Sequence, residues 1–152
     1  MKKKSKNIIK SLAIGMLVVS SVSSNSFANE VSTTNARSTS YTSSMSLSGN
    51  STLTGTGRSY DAGSHSISMK ITWKANSDYN RCKVTLQKSS LGGYEYKNST
   101  LMYLTNVGQT YSASMGTQTK GTYRYFFDNR ASTLGGSYYD SFTANPVIMK
   151  SV

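Results

Sequence analysis

A strictly alternating segment, His65 to Lys74, constrains the fold of this chain more than any other feature. Ser, Thr or Lys fills every second position, and apolar or ring-bearing residues lie between them: His65, Ile67, Met69, Ile71 and Trp73. A period of two places one set on the core face of a β-strand and the other in solvent, whereas a helix would scatter both sets around its surface. The segment therefore predicts a half-buried strand with Trp73 in the core.

The same alternation predicts further strands along the chain. Cys82, Val84 and Leu86 alternate with Arg81, Lys83 and Thr85, and more segments bounded by Gly, Asn or Ser have strand composition: 41–47, 51–56, 94–97, 100–105, 110–115, 122–128 and 138–143. Pro146 is expected to limit the last strand, because proline cannot donate to a ladder. Short strands at such spacing predict an all-β fold, a single antiparallel β-sandwich of about seven or eight strands spanning 41–152.

The predicted core of this domain comprises the inward positions of three strands: Ile67, Met69, Ile71, Trp73, Val84, Leu86, Tyr123 and Tyr125. Two arrangements of the strands 65–74 and 81–87 remain open. They either form a hairpin that pairs Trp73 with Cys82, or they lie in different sheets and face each other across the core. In the second case Arg81 and Lys83 are expected beside Arg124.

One short segment resembles a feature of a known fold class. Residues 117–127 give a Gly-x-Tyr sequence, Gly121 to Tyr123, that leads into an aromatic strand. This is similar to the corner before the sixth strand of immunoglobulin-like sandwiches, where a Tyr hydroxyl pins the corner. The resemblance implies a sandwich that is immunoglobulin-like in outline, with a hydrogen bond from Tyr123 to the preceding chain.

The N-terminal residues are typical of a targeting segment. Five lysines precede an apolar stretch, Leu12 to Val19, and Ser26-Phe27-Ala28 supplies small residues where a signal peptidase reads them. The apolar stretch is about half the ~20 residues that a membrane span needs. We expect a secretory signal peptide over 1–28, cleaved between Ala28 and Asn29, an extracellular product without a membrane span, and a flexible polar leader over 29–40.

The supply of reactive side chains is small. The chain has one His, one Cys and six acidic residues, so an internal disulfide is impossible and a multi-Cys metal site is excluded. His65 opens a core-facing strand, and no pair of carboxylates is singled out. We therefore expect no catalytic residues, no metal and no cofactor. The thiol of Cys82 is expected to be buried and inert.

The basic residues and the rings predict a binding surface. After removal of residues 1–28 the chain keeps 12 basic against 6 acidic side chains, and such charge favours anionic partners. Lys74, Arg81, Lys83 and Arg124 are expected to point away from the core. Aromatic residues also exceed what a core requires, so Tyr96, Phe126 and Tyr139 are expected on the same exposed surface.

These observations predict a secreted, non-catalytic binding protein that acts at a cell surface or on an extracellular polymer. The expected partner is an anionic or glycan component of a cell envelope, or a surface protein. A cationic antibacterial protein that attacks an anionic envelope is the alternative, since it would use the same charges and amphipathic strands. Nucleic acid is not expected, because the chain has no dense Arg cluster and no RNA-binding sheet motif.

Overall fold

A computed structural model describes residues 26–35, 38–75, 80–130 and 141–152. These ranges contain strands, turns and loops, and no helix. The strands are β1 (Ser26–Asn35), β2 (Ser38–Leu47), β3 (Thr52–Thr54), β4 (Arg58–Tyr60), β5 (Gly63–Lys74), β6 (Arg81–Ser90), β7 (Gly93–Tyr103), β8 (Thr110–Gln118), β9 (Gly121–Asp128) and β10 (Phe142–Ser151). The all-β class predicted from the alternation is thereby confirmed.

The described strands form two antiparallel sheets that pack as a sandwich. Sheet A has the order β1-β2-β10-β5-β8, and sheet B has the order β3-β9-β6-β7 with β4 also paired to β9. An immunoglobulin domain keeps its last strand beside the sixth. Here β10 instead lies between β2 and β5 in the opposite sheet.

The core lies between the sheets and is built from the inward half of each alternating strand. Ile67, Met69 and Ile71 from sheet A are almost fully buried against sheet B. The sheet B residues that the sequence predicted for the core are buried as well: Val84, Leu86, Tyr123 and Tyr125. Apolar burial of this kind, at roughly 25 cal/mol per Å², is the main force that holds the two sheets together.

Trp73 is the one predicted core residue that was placed wrongly. Its side chain is 52% exposed. Ala144 pairs with Ile71, and the residue before it, Thr143, pairs with Trp73. One step along β10 thus corresponds to two steps along β5, and Thr72 is the extra residue. A β-bulge of this type reverses the inward and outward positions that follow it. Trp73 therefore shares the outward side of Thr143 on sheet A.

The strands β5 and β6 lie in different sheets. β5 pairs with β10 and β8, whereas β6 pairs with β7 and β9. The hairpin that would join Trp73 to Cys82 is therefore absent from the described residues. The other arrangement left open by the sequence, two strands facing each other across the core, is the correct one.

The beginning of the described chain differs from the expected polar leader. Residues 26–35 form β1 and pair with β2, with an irregularity between Ala28 and Val31, and β2 already begins at Ser38, before the expected Tyr41. Thr and Val, which are present in β1, favour extended backbone, and pairing satisfies the backbone N–H and C=O groups of the segment. Residues 1–25 lie outside the described ranges, so the signal peptide stays a prediction.

The last strand continues past Pro146, which was expected to limit it. β10 runs from Phe142 to Ser151 and pairs on both sides. The pairing skips from Ala144 to Val147 on both neighbours, so Asn145 and Pro146 lie in a bulge. A proline in a bulge has no ladder position to leave unpaired, which explains why it is tolerated in a central strand.

The corner before β9 has the predicted hydrogen bond. The Tyr123 hydroxyl donates to the carbonyl oxygen of Thr119, at 2.6 Å. Tyr123 also packs against His65, with ring centroids 4.7 Å apart, and against Tyr60 at 6.2 Å. These rings connect the two sheets at one end of the sandwich and fix where β9 begins.

Candidate functional site

The solvent-facing side of sheet B collects the features that the sequence assigned to a binding surface. On β6, Cys82, Val84 and Leu86 point into the core, so Arg81, Lys83, Thr85 and Gln87 point outward. Register places Tyr103, Leu101, Ser99, Tyr96 and Tyr94 of β7 on the same side, together with Asp128, Phe126 and Arg124 of β9. We call this set the outer face of sheet B.

Five of the seven predicted ligand-binding residues lie on the outer face of sheet B: Arg81, Lys83, Arg124, Tyr96 and Phe126. Phe126 pairs with Thr85, and Arg124 pairs with Gln87, so both rows are central in the sheet. Arg124 is thus on the strand next to Arg81 and Lys83, as expected for strands 65–74 and 81–87 in different sheets.

The other two predicted residues do not join this group. Lys74 belongs to β5 in sheet A, where it pairs with Phe142 beyond the bulge at Thr72. It is therefore on the opposite sheet from Arg81, and its assignment to the same surface is wrong. Tyr139 lies outside the described residues.

The most ordered part of the outer face of sheet B is centred on Arg124. Its guanidinium carbon lies 3.8 Å from the centroid of the Tyr94 ring. Its Nε donates to the side-chain oxygen of Gln87 at 2.7 Å. A guanidinium stacked on one side and hydrogen-bonded at its stem has lost most of its rotamers, and its two terminal nitrogens remain as donors in a fixed plane.

A second stack of the same type lies further along β6. The guanidinium carbon of Arg81 is 4.8 Å from the ring centroid of Tyr103, the residue directly opposite it on β7. Tyr103 is 53% exposed and its neighbour on the same side, Leu101, is 37% exposed. This end of the face thus combines a held cation with open apolar surface.

The row of Gln87 and Arg124 also has an exposed ring, which reaches toward a hydroxyl group of the next row. Tyr96 is 63% exposed, and its hydroxyl is 3.4 Å from the hydroxyl of Ser99. Phe126 is half-buried in the next strand but one, across from Thr85. A flat exposed ring beside hydroxyl groups is the arrangement on which sugar rings and other flat partly apolar groups can stack.

The electrostatics of the face are positive. Asp128 is the acid whose register places it there, and Arg130 binds it through two contacts of 3.1 and 3.2 Å. Partial burial acts to raise the pKa of Asp128, but the hydrogen bonds and charge of Arg130, followed by the charge of Lys83, hold it below its usual value. Asp128 is thus ionised and already paired, and within the described ranges Lys83 has no carboxylate at ion-pair distance.

Among the aromatic and aliphatic side chains of this face, three were not assigned to the binding surface from the sequence: Tyr94, Tyr103 and Leu101. The sequence predicted two short strands, 94–97 and 100–105, where the structure has the single strand β7. Leu86 pairs with Asn98 but Gln87 pairs with Tyr96, so Lys97 is an extra residue. Because of this bulge, the outward residues of β7 have even numbers before Lys97 and odd numbers after it. In the sequence, only the absence of Gly between Tyr94 and Tyr103 indicates one continuous strand.

The thiol of Cys82 and the imidazole of His65 lie in the core and not on the outer face of sheet B. Cys82 is fully buried, and burial raises the pKa of its thiol well above the usual range. His65 is also buried, and its pKa is lowered mainly by loss of hydration. Among the described residues, no group of three or more His, Cys, Asp or Glu side chains is arranged to hold a metal ion. The same ranges contain no helix long and apolar enough to cross a bilayer.

Compared with known proteins, the chain matches no family model and has no significant similarity to a curated protein.

Proposed function

We propose that this protein is a secreted, non-catalytic β-sandwich that binds a glycan-containing polymer of a cell surface through the outer face of sheet B. The observation that carries the proposal is the presence of two Arg–Tyr stacks and an exposed Tyr ring on one side of one sheet. A solvated face of a sheet can form with mostly hydroxyl-bearing side chains, as the outward positions of β5 and β8 in sheet A do, so folding alone does not account for these groups.

Binding on this face would combine attraction and stacking. Arg81, Lys83 and Arg124 attract anionic groups, and this attraction is screened over ~8–10 Å at ordinary salt. Tyr96 and Tyr103 offer open rings, whose contacts with sugars are insensitive to salt. The stacks hold both guanidinium groups before a ligand arrives, so less conformational entropy is lost on binding.

A retention assay on isolated cell walls tests the proposal. We expect the wild type to sediment with walls, less so at high salt. The triple variant Arg81→Glu, Lys83→Glu, Arg124→Glu should lose retention at low salt, and Tyr96→Ala with Tyr103→Ala should lose what persists at high salt. A control on sheet A carries Lys70→Glu, Lys150→Glu and Trp73→Ala, which reverse two charges and remove one exposed ring.

The control should be retained like the wild type, and circular dichroism should show that every variant is folded. Equal loss in the control and the triple variant would mean that net charge, not this face, governs retention. Absence of wild-type retention would overturn the proposal. Viable counts of intact bacterial cells incubated with the same variants address the cationic antibacterial alternative, which requires that the wild type kills cells and that the triple variant does not.

A further inference from the structure

The two Arg–Tyr stacks lie far apart on the outer face of sheet B. Arg81 begins β6, and Arg124 is paired with Gln87 of the same strand. Six residues of β-strand separate Arg81 from Gln87, which corresponds to ~20 Å at ~3.3 Å per residue. A single sugar, or one isolated anionic group, therefore cannot contact both guanidinium groups at once.

The surface between the two stacks suits an extended ligand better than a compact cluster of anionic groups. Ser99 contributes a hydroxyl group and Phe126 a half-buried ring. The exposed ring of Tyr96 lies in the row of Arg124, and its hydroxyl is 3.4 Å from that of Ser99. Lys83 lies two residues from Arg81, and the acid opposite it, Asp128, is held by Arg130. A ligand that follows β6 would meet Arg81 and Lys83 at one end, then the row that contains the Ser99 hydroxyl and the Phe126 ring, and finally the row that contains Tyr96 and Arg124.

We propose that the ligand is a linear polysaccharide of pyranose rings that bears carboxylate groups, lying along β6 and contacting both Arg–Tyr stacks. This inference rests on the proposed function and adds the ligand class and its orientation. Carboxylate matches the paired terminal N–H groups of a guanidinium whose stem is already bonded, as in Arg124. The exposed rings require a partner with flat faces, which pyranose rings have and open-chain polyol phosphates lack.

The length of the ligand gives the test, since the wild type alone is sufficient for it. Oligogalacturonates of two and six units serve as probes, and binding is measured by calorimetry at low salt. The hexamer can reach both stacks and the dimer can reach one, so we expect at least ~10-fold tighter binding of the hexamer per molecule. The methyl ester of the hexamer, which has no carboxylate, should bind more weakly than the free acid.

Single substitutions locate the two ends. Arg81→Lys and Arg124→Lys keep the charge but remove the flat, paired donors. Each should bring hexamer affinity down toward the dimer value while leaving dimer affinity within about twofold, since the dimer can still use the other stack. The pair Lys70→Gln and Lys150→Gln, on sheet A, should leave both affinities unchanged.

The outcomes separate this inference from the proposed function. Equal affinity for dimer and hexamer, or tighter binding of polyglycerol phosphate than of the hexamer, would overturn the extended polyuronate site even if walls retain the protein. If walls retain the protein but it binds no uronate, the extended polyuronate site is likewise overturned while the proposed function stands. Failure of wild-type retention on walls overturns the proposed function itself.

Discussion

The two solvent-facing sides of the sandwich were built from the same alternating pattern but with different chemistry. The outward positions of sheet A are mostly hydroxyl-bearing: Ser40, Thr42, Ser66, Ser68, Ser112 and Ser114. The outer face of sheet B has Arg–Tyr stacks and exposed rings instead. Because both sheets form, the hydroxyl-rich side shows what a solvated sheet needs, and the rings on the other side exceed that need.

The hydroxyl-rich side has a cavity whose lining contains neither a guanidinium nor an aromatic ring. Its volume is about 300 Å³, and it is lined by Ser66, Ile67, Ser68, Ser112, Ile148 and Lys150. The large exposed ring on this side of the sandwich, Trp73, reaches solvent because of a bulge, and no guanidinium is stacked on it within the described residues. The comparison therefore predicts that function follows the outer face of sheet B and that sheet A tolerates change.

The largest losses of stability are expected at inward positions of the strands. A comparison of Ile71 with Trp73 therefore tests which side chains of β5 face the core. Ile71→Ala empties a fully buried site and should cost about 2–5 kcal/mol of unfolding free energy. Trp73→Ala, two residues further on, removes a side chain that is half exposed and should cost less than about 1 kcal/mol. Denaturant melts of both variants measure this. A larger cost for Trp73→Ala than for Ile71→Ala would mean that the bulge at Thr72 is misplaced.

The difference between Ile71 and Trp73 also shows how far the sequence could be interpreted. Alternation predicted the inward set of β5 correctly up to Ile71, since a regular strand has a period of two. One inserted residue then reverses every later position. Neither Thr72 nor Lys97 of β7 is a residue type that marks a bulge, as Gly or Pro would, so the two bulges are decided by pairing between distant strands.

The candidate site was predictable to the same degree. Arg81 and Lys83 alternate with buried residues of β6, and Arg124 alternates with buried residues of β9. Alternation alone was therefore sufficient to predict that these three side chains point outward. Tyr94 and Tyr103 were not assigned because the bulge at Lys97 separates them from the pattern. Lys74 was assigned wrongly because a sequence does not state which strands share a sheet.

A second prediction perturbs the outer face of sheet B without touching its charges. A β-carbon added at Gly57 would collide with the hydroxyl end of Tyr94. Gly57→Ala should therefore displace the Tyr94 ring from Arg124 while the fold adjusts at the tip of one side chain. We expect ligand or wall binding to fall about threefold to tenfold, the range of a lost cation–π contact of roughly 0.7–1.4 kcal/mol.

Gly92 supplies the matched control for that substitution. It lies in the turn before β7, and a β-carbon there has open space around it. Gly92→Ala should leave binding and stability unchanged, as measured by the same calorimetry and denaturant melts. If Gly57→Ala binds like the wild type, the Tyr94–Arg124 stack does not contribute to recognition.

A third prediction uses pH to separate the fold from the face. His65, the only histidine of the chain, is buried and its pKa is lowered. Below about pH 6.5 the unfolded chain takes up a proton that the folded chain does not, so stability should be full above that pH and fall as pH drops toward 5. Lys and Arg keep their charges throughout this interval, so binding by the folded protein should persist.

Denaturant midpoints between pH 7.5 and 5 measure this effect, and His65→Gln should flatten the dependence. Asp128 also has a lowered pKa, but the stability it contributes is lost only at lower pH, as the solution approaches the usual carboxylate range near 4. A wild-type midpoint that does not move in this interval would mean that His65 is protonated inside the fold. Loss of binding without loss of stability would assign a titrating group to the face.

The smallest expected effect is the absence of a reaction, and it tests the boundary between the core and the outer face of sheet B. Cys82 is flanked by the outward cations Arg81 and Lys83, yet its own side chain is fully buried and its thiol pKa is raised by that burial. Reactivity requires an accessible thiolate, so the native protein should resist a thiol reagent and show no reducible dimer.

The variant Ser112→Cys, at an exposed outward position of β8, should be labelled quickly under the same conditions. Mass spectrometry of proteolytic fragments distinguishes the two thiols, and unfolding in denaturant should make Cys82 reactive. Rapid labelling of Cys82 in the native protein would place it on the solvent side of β6, and Arg81 and Lys83 would then point into the core instead of toward a ligand.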